Sequence, residues 1–129
     1  MSATREAWLH PEGASYQTLS ALRATVDGLP ESYLALLTRG NGGETSLAVP
    51  PFNFCLDSAE AALDYWRSGT YTLPGVFVFG GNGGGALLAL DMRHARPWPI
   101  VSFDPIDPAG SIETVAVDFH SFLGLVDTQ

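Results

Sequence analysis

The order of residue patterns along the chain predicts an α+β fold. Helix-like periodicity opens the chain, short β-branched and aromatic runs fill its middle, and a capped amphipathic stretch closes it. The regular strand–helix alternation of a doubly wound sheet is missing. At 129 residues one core suffices, and a chain of this size buries about two thirds of the surface its unfolded form exposes.

Residues 14–27 place Tyr16, Leu19, Leu22 and Val26 at three- and four-residue spacing, which predicts an amphipathic helix stopped by Gly28. Leu29, Pro30 and Glu31 open a second helix: proline needs no amide partner there, and the acid sits near the positive end of the helix. Leu29, Tyr33, Leu36 and Leu37 form its inner stripe. Gly40, Asn41, Gly42 and Gly43 end it through the left-handed backbone that closes helices.

Residues 45–49 and 52–56 are short and apolar, and Pro50 and Pro51 between them argue for edge rather than central strands. Asp57, three residues ahead of Glu60, reads as a capping box that starts a helix running to about Arg67, with Ala59, Leu63 and Trp66 inside. Residues 76–79 and 86–90 read as antiparallel strands around a glycine-rich loop, because Asn-Gly and Gly-Gly steps supply the positive φ that hairpins need. Residues 100–103 and 112–117 add strands on either side of the turn-rich segment 104–110. Asp118 caps a last helix that carries Phe119, Phe122, Leu123 and Val126 on one side.

Composition excludes several functions. No run approaches the roughly 18 uncharged apolar residues of a membrane span, and residues 1–10 lack the apolar centre of a signal peptide. Cys55 is the only cysteine, so no intramolecular disulfide is expected and a reducing cytoplasm fits. The formal charge is −8, from 14 acids against six arginines and no lysine. Phosphate backbones are held by clustered cations, so direct nucleic-acid binding is not expected. The acidic excess reads first as an aid to solubility and second as a field that steers a basic protein.

Candidate chemistry is sparse. Residues 81–86 satisfy a loose G-x-G-x-x-[GA] pattern, yet they lead into an apolar strand where a dinucleotide loop would open a helix, so a hairpin turn is the better reading. His10, His94 and His120 are too far apart for two imidazoles on one helix face, and no metal is expected. Cys55, in an apolar segment with no adjacent base, reads as a buried inert thiol. Asp57, Glu60 and Asp64 read as a solvated helix surface. Arg93, His94 and Arg96, close to Asp91 and Asp104, pair internally as readily as they meet a ligand. No catalytic residue, metal ligand or cofactor-binding residue emerges, and the chain is expected to be no enzyme.

Three ordered marks resemble the SUKH superfamily, which includes Smi/Knr-type regulators of fungal cell-wall assembly and bacterial immunity proteins. The first runs from Leu29, Pro30 and Tyr33 to Asn41, Gly42 and Gly43. The second is the glycine hairpin Gly80, Asn82, Gly83 and Gly84 with Asp91 beyond it, and the third is the closing segment with Ala116, Phe119 and Leu123. Asp118 stands where the family commonly has serine, and residues 45–57 carry no signature that aligns.

The resemblance implies a twisted, mostly antiparallel sheet with flanking helices over residues 14–129, preceded by an N-terminal extension over residues 1–13. It implies no active site and, for bacterial members, neutralisation of a cognate toxin domain, often a nuclease, by protein contact. Glu44, Asp57, Asp64, Asp104 and Asp107 are the expected exposed contacts, with Tyr65 as an aromatic anchor. A monomer or weak dimer free of nucleic acid and membrane is expected. The alternatives are a regulatory scaffold in cell-wall or signalling control, and a small-ligand binder using the glycine hairpin.

Overall fold

Local chemistry sets the element boundaries in a computed structural model that describes residues 7–69 and 73–127. Ser15 accepts from the Thr18 amide and starts α1 (Tyr16–Thr25), and Pro30 precedes α2 (Glu31–Arg39). The strands β1 (Gly43–Leu47) and β2 (Asn53–Leu56) follow, then α3 (Ala59–Ser68). The hairpin β3 (Val76–Gly81) and β4 (Leu87–Asp91) leads to β5 (Ile100–Phe103) and the short α4 (Pro108–Ser111). The chain closes through β6 (Glu113–Ala116), α5 (Phe119–Leu123) and β7 (Val126–Asp127).

Among the described residues the strands form one antiparallel sheet in the order β6-β5-β4-β3-β2-β1-β7. Side chains alternate across it, so each strand contributes to two different environments. Phe54, Leu56, Phe77, Phe79, Leu88 and Leu90 face the helices and build the main core with Leu22, Tyr33, Leu37, Leu63, Phe119 and Phe122. The opposite face carries a smaller core of Val76, Val78, Ala89, Val101 and Phe103, covered by Leu73 and Ile112.

Residues ahead of α1 pack on this frame. Leu9 bridges to Gly43, the His10 amide donates to the Gly42 carbonyl at 2.8 Å, and the Asn41 amide donates to the Glu12 carbonyl at 2.8 Å.

The motif residues are structural. Asn41 Oδ1 accepts from the Ala59 amide at 2.7 Å, and its Nδ2 donates to Glu60 Oε1 at 2.8 Å. Thr18 Oγ1 donates to Glu60 Oε2 at 3.0 Å, so one side chain and its acid partner tie α1, the α2–β1 junction and the start of α3 together. Asp91, only 2% exposed, accepts from Arg93 Nε at 2.8 Å and Nη2 at 3.0 Å. Those bonds hold its carboxyl below the usual range. Leu29, Tyr33 and Phe119 are buried, while Ala116 and Leu123 pack at the core's margin.

Several expectations change. Tyr16 is 84% exposed rather than part of the buried stripe, because α1 turns Leu22 and Val26 inward and leaves its first turn outside. Gly40 ends α2 in extended rather than left-handed backbone. A Cβ there would meet Leu9 Cβ at 2.5 Å and the His10 carbonyl oxygen at 2.7 Å, so close chain approach explains this glycine.

Pro50 and Pro51 lie in the β1–β2 turn and not in either strand, which lets β2 sit inside the sheet between β1 and β3. Ser58, not Asp57, caps α3, accepting from the Ala61 amide at 3.1 Å. Segment 104–110 carries the start of α4, and Val126 belongs to β7, not to the last helix. Asp118 does cap α5, through the Ser121 amide at 2.8 Å.

Replacing Asn41 with alanine removes the acceptor of the Ala59 amide and one of the two donors to Glu60. The variant is expected to lose about 1–3 kcal/mol in urea denaturation, and an unchanged midpoint would rule out this clamp.

Candidate functional site

Half of the second sheet face is bare. Period-two alternation that buries Phe54 and Leu56 sends Asn53, Cys55 and Asp57 to the other side, where β1 adds Glu44 and Ser46. Cys55 lies opposite Glu44 on β1 and opposite Gly81 on β3. Gly81 has no room for a side chain, since a Cβ there would meet the Ala86 carbonyl oxygen at 2.7 Å.

The β3–β4 loop borders this row. Asn82 Oδ1 accepts from the Gly84 amide at 2.8 Å and the Ala86 amide at 3.0 Å, while Gly83 turns at φ 76°. A Cβ on Gly83 would stand 3.3 Å from Cys55 Sγ, so the loop folds down onto the thiol. The result is an open groove of about 390 Å³ lined by Glu44, Thr45, Ser46, Asn53, Cys55, Asn82 and Gly83.

Charge in this region is one-sided. Cys55 donates to Glu44 Oε2 at 3.5 Å, and burial followed by the Glu44 bond and the charges of Glu44 and Asp57 pushes the thiol up from its usual value. Burial without a counter-ion pushes Asp57 up to about 6. No arginine lines the groove. No histidine lines it either, and His10 stands against Gly42.

The expected contact residues do not form one patch. Glu44 and Asp57 share the bare face, but Asp57 is half-buried instead of exposed. Asp64 and Tyr65 lie on α3 in the helix layer on the other side of the sheet, and both reach solvent. Asp104 and Asp107 sit on the β5–α4 connection, where Asp104 Oδ1 accepts from the Ile106 amide at 2.9 Å and Asp107 caps α4.

Two further readings change. Cys55 is part-exposed with a carboxylate beside it, not a buried thiol without a neighbouring base. Glu60 is held by Asn41 and Thr18 rather than merely solvated. Ser46, Asn53 and Cys55 were missed as site residues; the alternation of Asn53, Cys55 and Asp57 with Phe54 and Leu56 was the available signal. Among the described residues no group of three or more His, Cys, Asp or Glu could hold a metal ion. No helix among them is long and apolar enough to cross a membrane.

The sign of the Asp57 effect follows from its direction. A carboxyl raised to about 6 in the fold from 3.8 outside it costs stability progressively as pH rises between those values, and the full cost persists above 6. Asp57→Asn is expected to be more stable than the parent at pH 7 by about 1–2 kcal/mol after allowance for solvent screening. The gap should close below pH 4 in thermal melts, and an equal gap at both pH values would refute the assignment. Glu44→Gln removes a bond and a charge that raise the Cys55 thiol. Its reaction with a disulfide reagent should therefore show a pH profile displaced toward lower pH; an unmoved profile would separate the two groups.

A family model described as SMI1 / KNR4 family (SUKH-1) matches residues 13–124, which span α1 through α5. A search of curated proteins found no match. The family is generally non-catalytic, with immunity and regulatory members. With the Asn41 junction, the glycine hairpin and the Asp118-capped helix all inside the matched span, the chain belongs to the SMI1/KNR4 (SUKH-1) family.

Proposed function

We propose that this protein is a non-enzymatic immunity protein of the cytoplasm that binds and neutralises a cognate toxin domain, basic and of nuclease type. The observation that carries the reading is family membership combined with charge: toxin-immunity proteins occur in the family, and acids outnumber arginines 14 to six. A nuclease presents cations around its substrate groove. An acidic protein attracts that surface, raises the encounter rate and occludes it by contact alone. The inhibitor acts as a monomer or weak dimer and needs no nucleic acid, membrane or cofactor.

Arginine placement supports a one-sided field. Arg23 is engaged by Glu31 at 2.6 Å and Arg93 by Asp91 at 2.8 Å. From residue 97 to residue 129 the chain holds five acids and neither arginine nor lysine.

The test is capture of partners by the tagged protein from its native cells at low salt, followed by a high-salt wash. A basic toxin domain recovered in equal amounts and released by salt is the expected result. Recovery of envelope or signalling proteins instead would overturn the immunity reading in favour of a regulatory scaffold.

A further inference from the structure

The two faces of the sheet are finished differently. The helix layer seals one, and Leu73 and Ile112 cover the β3–β5 half of the other, leaving the β1–β2 half and the glycine loop uncovered. Resting on the immunity reading above, we infer that this bare half-face is the docking surface, and that its occupant is an arginine- or lysine-bearing segment of the basic partner, seated between Glu44 and Asp57.

Charge complementarity selects that occupant. Many other carboxylates already have internal partners: Glu31 holds Arg23, Glu60 holds Asn41 and Thr18, Asp91 holds Arg93, and Asp107 and Asp118 cap helices. Glu44 accepts only a weak thiol bond, and no hydrogen bond or ion pair to the Asp57 carboxylate is found among the described residues. Described arginines lie on α1, α2 and α3 or between β4 and β5, away from the groove.

Register supplies the spacing. Glu44 pairs with Cys55, so Asp57 is its diagonal neighbour on the same face, with Cα atoms about 7–8 Å apart. A guanidinium over Cys55 reaches both acids. The open groove beside Gly83 gives it room, and Asn53 and Ser46 add polar rim contacts.

The experiment is a titration of the isotope-labelled whole protein with hexa-arginine, followed by amide shifts in nuclear magnetic resonance spectra, with hexa-glutamate as control. Shifts are expected in residues 43–47, 53–57 and 82–86, and the double variant Glu44→Gln, Asp57→Asn should weaken binding at least about tenfold. Asp104→Asn, Asp107→Asn should leave it unchanged, and the dispersed spectra of the variants verify their folding. Shifts centred on residues 104–113, no binding, or unchanged affinity of the first double variant would overturn the docking site. Capture from native cells separates the two readings. If the Glu44 and Asp57 variant still retains a toxin domain, the immunity reading stands and the docking face falls. If hexa-arginine binds as expected while the parent captures no toxin domain, the face stands and the immunity reading falls.

Discussion

The main core closes around the ring of Phe79. Its centroid lies 5.9 Å from Tyr33, 5.8 Å from Phe54, 5.3 Å from Phe119 and 5.6 Å from Phe122, mostly in edge-to-face or tilted arrangements. One strand residue thereby joins α2, β2 and α5, three elements far apart in sequence. Aromatic pairs of this kind add about 0.5–1.5 kcal/mol each beyond the area they bury. Gly80 follows immediately because the chain must pass tightly over Cys55 there; a Cβ would run into the Cys55 carbonyl oxygen. The core residue and the strand glycine that lets β3 lie close to β2 are therefore consecutive, two residues ahead of the hairpin loop.

A polar junction complements this apolar one. Asn41 reaches the first turn of α3 while its own amide is held by Glu12, so the helix layer is set against the sheet by direction as well as by burial. Hydrophobic contact alone tolerates sliding. An amide side chain with both ends satisfied does not, which accounts for an asparagine rather than an apolar residue at this junction.

Most helices were legible because their stripes are long enough to show a period, as in Leu29, Tyr33, Leu36 and Leu37. The hairpin was legible through its glycines and the last helix through Asp118. Misreadings arose where two residues can play one part: Asp57 and Ser58 both cap well, and only the backbone reveals that Ser58 does so. Pro50 and Pro51 signalled an interruption but not that it was a turn between two inner strands. The site was half legible. Glu44 and Asp57 were visible as acids, yet their convergence depends on the pairing of Glu44 with Cys55, and strands of four or five residues are too short to announce which side will be left uncovered.

The alternation along β2 has an evolutionary consequence. Phe54 and Leu56 answer to the core, whereas Asn53, Cys55 and Asp57 answer to nothing inside it. Replacements at the second set meet few folding constraints, and Asp57 even opposes folding at neutral pH. Every other letter of this strand can therefore be rewritten while the intervening letters keep the architecture, so that a changeable surface and a fixed core share a handful of consecutive codons.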